Sequence, residues 1–428
     1  MRIILLLLFL SQSLLVSGQL NAVLIDTTSS IACKKDLNTE YIKKFELVNK
    51  NIVASSTSEK SIIKEISGET QKDFLEAIDN NNFSCDSNLN SYLQKLFSEI
   101  LTKNKINPEG YKILLSKDSS VNARNWGDGI VVINFGLFLA VENEDELMFV
   151  ISHEIGHQCL NHVKLGMERY AKLYTSNDIA QKTKEIQKQK FGKATKANDL
   201  LKKLMYQNYS QHRKKEIEAD SLGLSLYIKT LRNPKAAITL LEKLDVSDTE
   251  KDSLTVADYK SIFEQNGFKV KEKYFEQEES LFIQYDGEKR IETDSLKSHP
   301  DCAARIQLIK KYLNNTFKGN ETKSTGFDQI KKNSITQNLL NLYSEKSYGE
   351  SLYETLKLYK NDKENTSYKN IILLNLWEIQ KSRTNYTINR YVPSYNNKHN
   401  TASFNRFVSF VNNMKISDFD ILLTNFKL

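Results

Sequence analysis

Residues 149–162 read FVISHEIGHQCLNH, with two histidines flanking a glutamate at the spacing His-Glu-x-x-His. On a helix, His153 and His157 stand four residues apart and project from one face, so both imidazoles can reach a single zinc ion. Glu154 is adjacent and directed away from that metal position, yet able to reach a water bound there. Zinc lowers the pKa of such a water toward ~7, and the carboxylate takes its proton. The upstream residues favour a helix: Asn143 is a cap with Glu146 three places on, and Leu147, Phe149, Val150 and Ile151 supply an apolar face. The pattern predicts a helix from about Asn143 through the histidines to about Met167. With six His in 428 residues, chance produces this motif at roughly the 1% level. The bland alternative is a surface helix that carries two histidines.

A catalytic zinc takes three protein ligands and keeps one position open. No histidine follows at the short spacing of the metzincins. Cys159 and His162 fall two and five residues past His157 and would rotate off the metal face of a continuous helix. His162 then reads as a solvated residue, or one that touches a ligand and not the metal. A better third ligand lies in KKEIEADSLG, residues 214–223. Glu216 and Asp220 are four apart and share a helical face, whereas Glu218 points elsewhere. Glu216 could bind the metal, and Asp220 could accept the other ring N–H of a zinc histidine. Alone, EIEAD would be an ordinary charged helix surface.

His153-Glu154-Ile155-Gly156-His157 followed by Glu216-Ile217-Glu218-Ala219-Asp220 resembles the gluzincin peptidases related to the CAAX prenyl proteases, HtpX and the periplasmic protease BepA. Asn122-Ala123, Ile130 to Ile133 and Gly136-Leu137 match the segment that precedes the motif in that family. The resemblance implies one Zn2+ held by His153, His157 and Glu216, with Glu154 as general base and Asp220 supporting a ligand. It implies that the strand at 130–133 borders the cleft and can pair with an extended peptide. His299-Pro300 and Arg305 match a further pattern of the family, which places His299 near zinc as a gating ligand or a transition-state contact. The alternative is a helix-starting His-Pro turn with Arg305 on the surface. The resemblance covers roughly residues 40 to 315 and the tail more loosely.

The fold class that follows is mainly α (α+β): a zincin-like peptidase domain with a small sheet over the active-site helix, then a helical tail. Residues 1–18 read as a signal peptide, with an apolar run from Ile3 and small residues up to Gly18. Residues 19–110 read as helices that pack on the peptidase, 111–315 as the peptidase core, and 316–428 as the tail. Residues 111–118 and 129–135 are the expected strands. In the tail, LLNLYSEK from Leu339 and LLNLWEIQ from Leu373 lie 34 residues apart, the tetratricopeptide period, with Tyr343 answered by Trp377.

Four cysteines in an exported chain favour disulfides, and three pairings are possible. Cys33 with Cys85 is favoured because both lie in the N-terminal region. Cys159 with Cys302 is favoured because they flank motifs that the resemblance brings together. The net charge of +7 is mild and its lysines are scattered, which argues against a nucleic-acid partner. The expected protein is exported, to the periplasm in a Gram-negative source, and soluble, with membrane proteins among its possible neighbours. It would hydrolyse extended segments of unfolded or misassembled proteins. The competing reading is a chaperone-like assembly factor with a mostly silent zinc site, closed by His299 as a fourth ligand. The sequence leaves the cleavage preference and the oligomeric state open.

Overall fold

The computed structural model describes residues 30–276 and 302–425, apart from 190–191, 248–249, 251–252, 265–267, 314–318, 320–321, 323 and 398–399. The expected signal peptide and His299 lie outside the described residues. Helices dominate. In chain order they begin with α1 (Ser30–Lys50), α2 (Thr57–Asp79) and α3 (Ser87–Lys103). Three strands follow: β1 (Lys112–Ser116), β2 (Ala123–Gly127) and β3 (Ile130–Asn134). Next come the short α4 (Leu137–Ala140), then α5 (Glu144–Cys159), α6 (His162–Tyr174), α7 (Asn177–Lys188), the long α8 (Lys193–Ile228) and α9 (Ala236–Leu244). The rest are α10 (Val256–Phe263), a 3-10 turn (Glu272–Phe275), α11 (Cys302–Leu313), α12 (Thr325–Ser344), α13 (Tyr348–Tyr359), α14 (Thr366–Thr384), a second 3-10 turn (Ile388–Arg390), α15 (Ala402–Asn413) and α16 (Ile416–Asn425).

The sheet order is β1-β3-β2, with β3 parallel to β1 and antiparallel to β2. The unbroken run IVVI in β3 fits a strand buried on both faces. Ile113, Leu115, Val131 and Ile133 face one apolar cluster with α3, α5, α8, α9 and α11. Leu114, Ile130 and Val132 face a second cluster, closed by Tyr41 and Phe45 of α1 and Phe74 and Ile78 of α2. The N-terminal helices thus cover the outer face of the sheet, and the disulfide Cys33–Cys85 ties α1 to the residue before the Asp86 cap of α3.

Strand β2 was not expected. ARNWG lacks the β-branched residues that reveal a strand, and the signal that could have exposed it is the turn after it. Asp128 and Gly129 both take positive φ, 51° and 80°, the type of Asp-Gly hairpin that joins two antiparallel strands. Because β3 is paired on both sides, the 130–133 strand has no free edge, and the edges of this sheet are β1 and β2.

The capped start of the motif helix is as read. The Asn143 side chain accepts from the Glu146 amide at 2.9 Å, and the Glu142 amide donates to the Glu146 carboxylate at 2.8 Å. The expected end at Met167 is wrong. Helix α5 stops at Cys159, Asn161 turns left-handed at φ 53°, and α6 begins at His162. Asparagine tolerates that conformation better than most residues. The expected Cys159–Cys302 bond is absent as well. Cys159 is exposed near the Tyr111 hydroxyl, whereas Cys302 is buried at the start of α11 among apolar side chains. Helix α11 packs on α9 and α8.

Two compact units emerge. One holds the described residues from 30 to 247 and from 302 to 330; the other holds those from 250 to 276 and from 331 to 425. In the second, Tyr259, Phe263, Phe268 and Tyr274 share a core with Leu352, Leu376, Phe407 and Phe410. A linear boundary at 315 assigns that segment to the peptidase, but its packing assigns it to the tail. The 34-residue echo carries burial: Asn341 and Asn375 are both buried, as are Leu342 and Leu376. It does not hold at Tyr343, which is part-buried against the core while Trp377 is exposed.

Helices α5 and α8 approach each other backbone to backbone. A Cβ on Gly223 of α8 would lie 2.7 Å from His153 Cα, and one on Gly156 of α5 would lie 2.9 Å from the Ala219 carbonyl oxygen. Gly223→Ala is therefore expected to destabilise the protein by about 1–3 kcal/mol. Gly68→Ala, in α2 with open space around it, is expected to stabilise by about 0.5–1 kcal/mol. Urea unfolding monitored by circular dichroism compares the two. For the disulfide, with a sequence separation of 52, the Cys33→Ser/Cys85→Ser chain is expected to lose roughly 2–4 kcal/mol. Its denaturation midpoint should match that of the reduced wild type.

Candidate metal centre

The glycine contact sets α5 and α8 backbone to backbone, and three side chains meet beside it. Metal-binding atoms of His153, His157 and Glu216 all lie within 4.8 Å of one another. The two Nε2 atoms are 3.0 Å apart, and the Glu216 carboxylate lies 3.5 Å from Nε2 of His153 and 3.4 Å from that of His157. Two nitrogens and a carboxylate converging on one point are the donor set of a catalytic zinc site.

Behind the cluster, Asp220 Oδ1 lies 2.9 Å from Nδ1 of His153, close but not in line with the ring N–H. Arg305 of α11 grips Asp220 with both ends: Nε donates to Oδ2 at 2.6 Å and Nη2 donates to Oδ1 at 2.8 Å. Its Nη1 is 3.6 Å from Glu216. Only 4% of Arg305 is exposed, so the alternative of a surface arginine is wrong. A buried guanidinium needs such a partner.

Electrostatics follow from burial and charge. Burial opposes a charge on His153, but Asp220 and Glu216 outweigh it and push its pKa up to about 10. The same surplus of carboxylate favours a cation at the cluster. Burial would raise the carboxyl of Glu216; hydrogen bonds from His153 and His157, with the charge of Arg305, instead hold it well below the usual range. Asp220 is lowered in the same way by Arg305 and His153. The carboxyl of Glu154 is pushed up, chiefly by burial.

A cavity of about 310 Å³ opens over the cluster. Glu154, Asn125 and Arg124 are among its lining residues, as are Val150, Leu240 and Leu244. Asn125 of β2 donates its side-chain amide to the Glu154 carbonyl at 3.1 Å, fixing the edge strand against the motif helix. His162, read from the sequence as solvated or as touching a ligand and not the metal, is buried, and its Nδ1 lies 2.9 Å from Nδ1 of His157. The left-handed turn at Asn161 swings it back. Glu218, off the ligand face, lies 3.3 Å from the other nitrogen of His162.

The model of peptidase family M48 matches residues 87–313, more than half of the chain. Two curated relatives are similar over shorter spans. A putative beta-barrel assembly-enhancing protease of Vibrio cholerae serotype O1 is 30% identical over 87 residues, 20% of this chain and 18% of that protein. The metalloprotease LoiP of Escherichia coli strain K12 is 31% identical over 145 residues, 33% of this chain and 54% of that protein. The chain thus spans about half the length of one relative and less than a fifth of the other. With the family match extending from α3 to the end of α11, the chain belongs to peptidase family M48.

Proposed function

We propose that this protein is a zinc-dependent metalloendopeptidase. The observation that carries the reading is the convergence of His153, His157 and Glu216 beside a buried Glu154 in an open cavity. His153, His157 and Glu216 would hold the ion. When bound, zinc supplies a Lewis acid that polarises a peptide carbonyl and acidifies water. Glu154 takes the water proton on its carboxylate and passes it to the departing amide nitrogen. Asp220, clamped by Arg305, orients the ring of His153. The outer edge of β2 pairs with the substrate backbone as an added strand. Val150, Leu240 and Leu244 of the cavity lining offer apolar surface to a substrate side chain.

Strand addition requires an extended chain, so unfolded or misassembled proteins are the substrate class that fits. Export supports that reading, and it rests on the N-terminal sequence; the similarity to a putative beta-barrel assembly-enhancing protease supports a substrate of the misassembled kind. No described helix is long and apolar enough to cross a membrane. The tail, with its 34-residue echo, is read as a tetratricopeptide-like platform for clients.

Glu154→Gln is expected to lower kcat on casein-derived peptides by about 10²–10⁴ with zinc content unchanged, and a chelator should abolish wild-type turnover until zinc is restored. Turnover by Glu154→Gln equal to the wild type would remove the proposed base. In a host that exports the chain, N-terminal sequencing of the mature protein should begin at Gln19; a retained Met1 would contradict the signal peptide.

A further inference from the structure

Both ring nitrogens of His157 are engaged. Nε2 faces His153 and Glu216, and Nδ1 faces Nδ1 of His162 at 2.9 Å. The chain of contacts continues outward, because Nε2 of His162 lies 3.3 Å from Oε2 of Glu218. We propose that His162 and Glu218 form a proton-ordered relay that fixes the ring of His157 and thereby sets the metal affinity of the site. This is a positioning role, and it rests on reading His153, His157 and Glu216 as the ligands.

The proton order is forced once Nε2 of His157 offers its lone pair to a metal. A neutral imidazole carries one N–H, so the His157 proton must sit on Nδ1. That N–H can only donate to a bare Nδ1 of His162. The single proton of His162 then sits on Nε2 and donates to the Glu218 carboxylate. A proton on Nδ1 of His162 would instead set two N–H groups against each other. Only one arrangement satisfies every contact from the ligand position to the surface.

The fold holds the relay at both ends. Asn161, at φ 53°, aims the first residue of α6 back at α5. Lys215 of α8 donates to the His162 carbonyl at 2.6 Å. Glu218 sits on α8 two residues past Glu216, so the helix that supplies the third ligand also ends the relay. Lys214, one turn earlier, lies 3.7 Å from Glu218. The two histidines are thus supported unequally. His153 leans on a buried carboxylate locked by a buried arginine. His157 leans on a neutral ring whose carboxylate is half-exposed.

The test is zinc affinity of the full chain, measured by competition with a chromophoric chelator, alongside the melting temperature of the zinc-free protein. His162→Leu keeps bulk and removes both hydrogen bonds; its zinc dissociation constant is expected to rise about 10–100-fold with the zinc-free melting temperature unchanged. His162→Asn, which restores an acceptor near the place of Nδ1, should recover most of that loss. Glu218→Ala should weaken binding in the same direction by less. Wild-type affinity in His162→Leu overturns the relay, and so does a loss that His162→Asn leaves unrepaired, the mark of packing alone. Should His162→Leu fail to fold, Glu218→Ala decides, and unchanged affinity there overturns the proposal. A wild-type chain that binds no zinc overturns the ligand assignment instead.

Discussion

Two helices meet with no side chain between them. At Gly156 and Gly223 the backbones of α5 and α8 approach so closely that a methyl group on either would collide with main-chain atoms. Close packing of this kind deforms only at a cost, since protein interiors have little slack. The distance between the two helices therefore fixes how far Glu216 stands from the two histidines. A carboxylate on one helix and two imidazoles on another become one donor set because of that contact.

Such a site concentrates charge where water is scarce, and the fold answers it residue by residue. Arg305 offsets Asp220 and Glu216 at the cluster. At the start of α5, three successive acids lie in the first turn, where the helix dipole favours them. They are buried nonetheless, and Arg232 meets Glu144 and Asp145 while Lys243 and Thr239 meet Glu146. Tyr92 donates to Glu144 as well. The motif helix is anchored electrostatically at its N-terminus and by backbone contact at its middle.

The residues that assemble the centre were legible because metal chemistry demands particular side chains at helical spacing. His153, Glu154, His157, Glu216 and Asp220 announce themselves through identity and period. What supports them did not, for reasons that are physical. The break at Asn161 depends on one backbone dihedral that no spacing rule encodes, and with it went the place of His162. Arg305 carried no sign of burial, since its partner is 85 residues away in sequence. Strand β2 is held by its pairing with β3 and not by its own composition. The bond expected between Cys159 and Cys302 was inferred from motifs said to share a site. A bond needs two β-carbons within a few ångströms, a stricter condition than sharing a neighbourhood.

The second unit draws its core from two distant parts of the chain, with Tyr259, Phe263, Phe268 and Tyr274 packed among residues 348–422. The consequence concerns biosynthesis. During synthesis these aromatics emerge long before their partners, and the stretch that completes the peptidase unit is made in between. Until the tail is finished, the segment carries an uncovered apolar face, the kind of surface on which unfinished chains stick to one another. The growing chain thus passes through a stage at which it exposes the apolar surface that its finished fold buries.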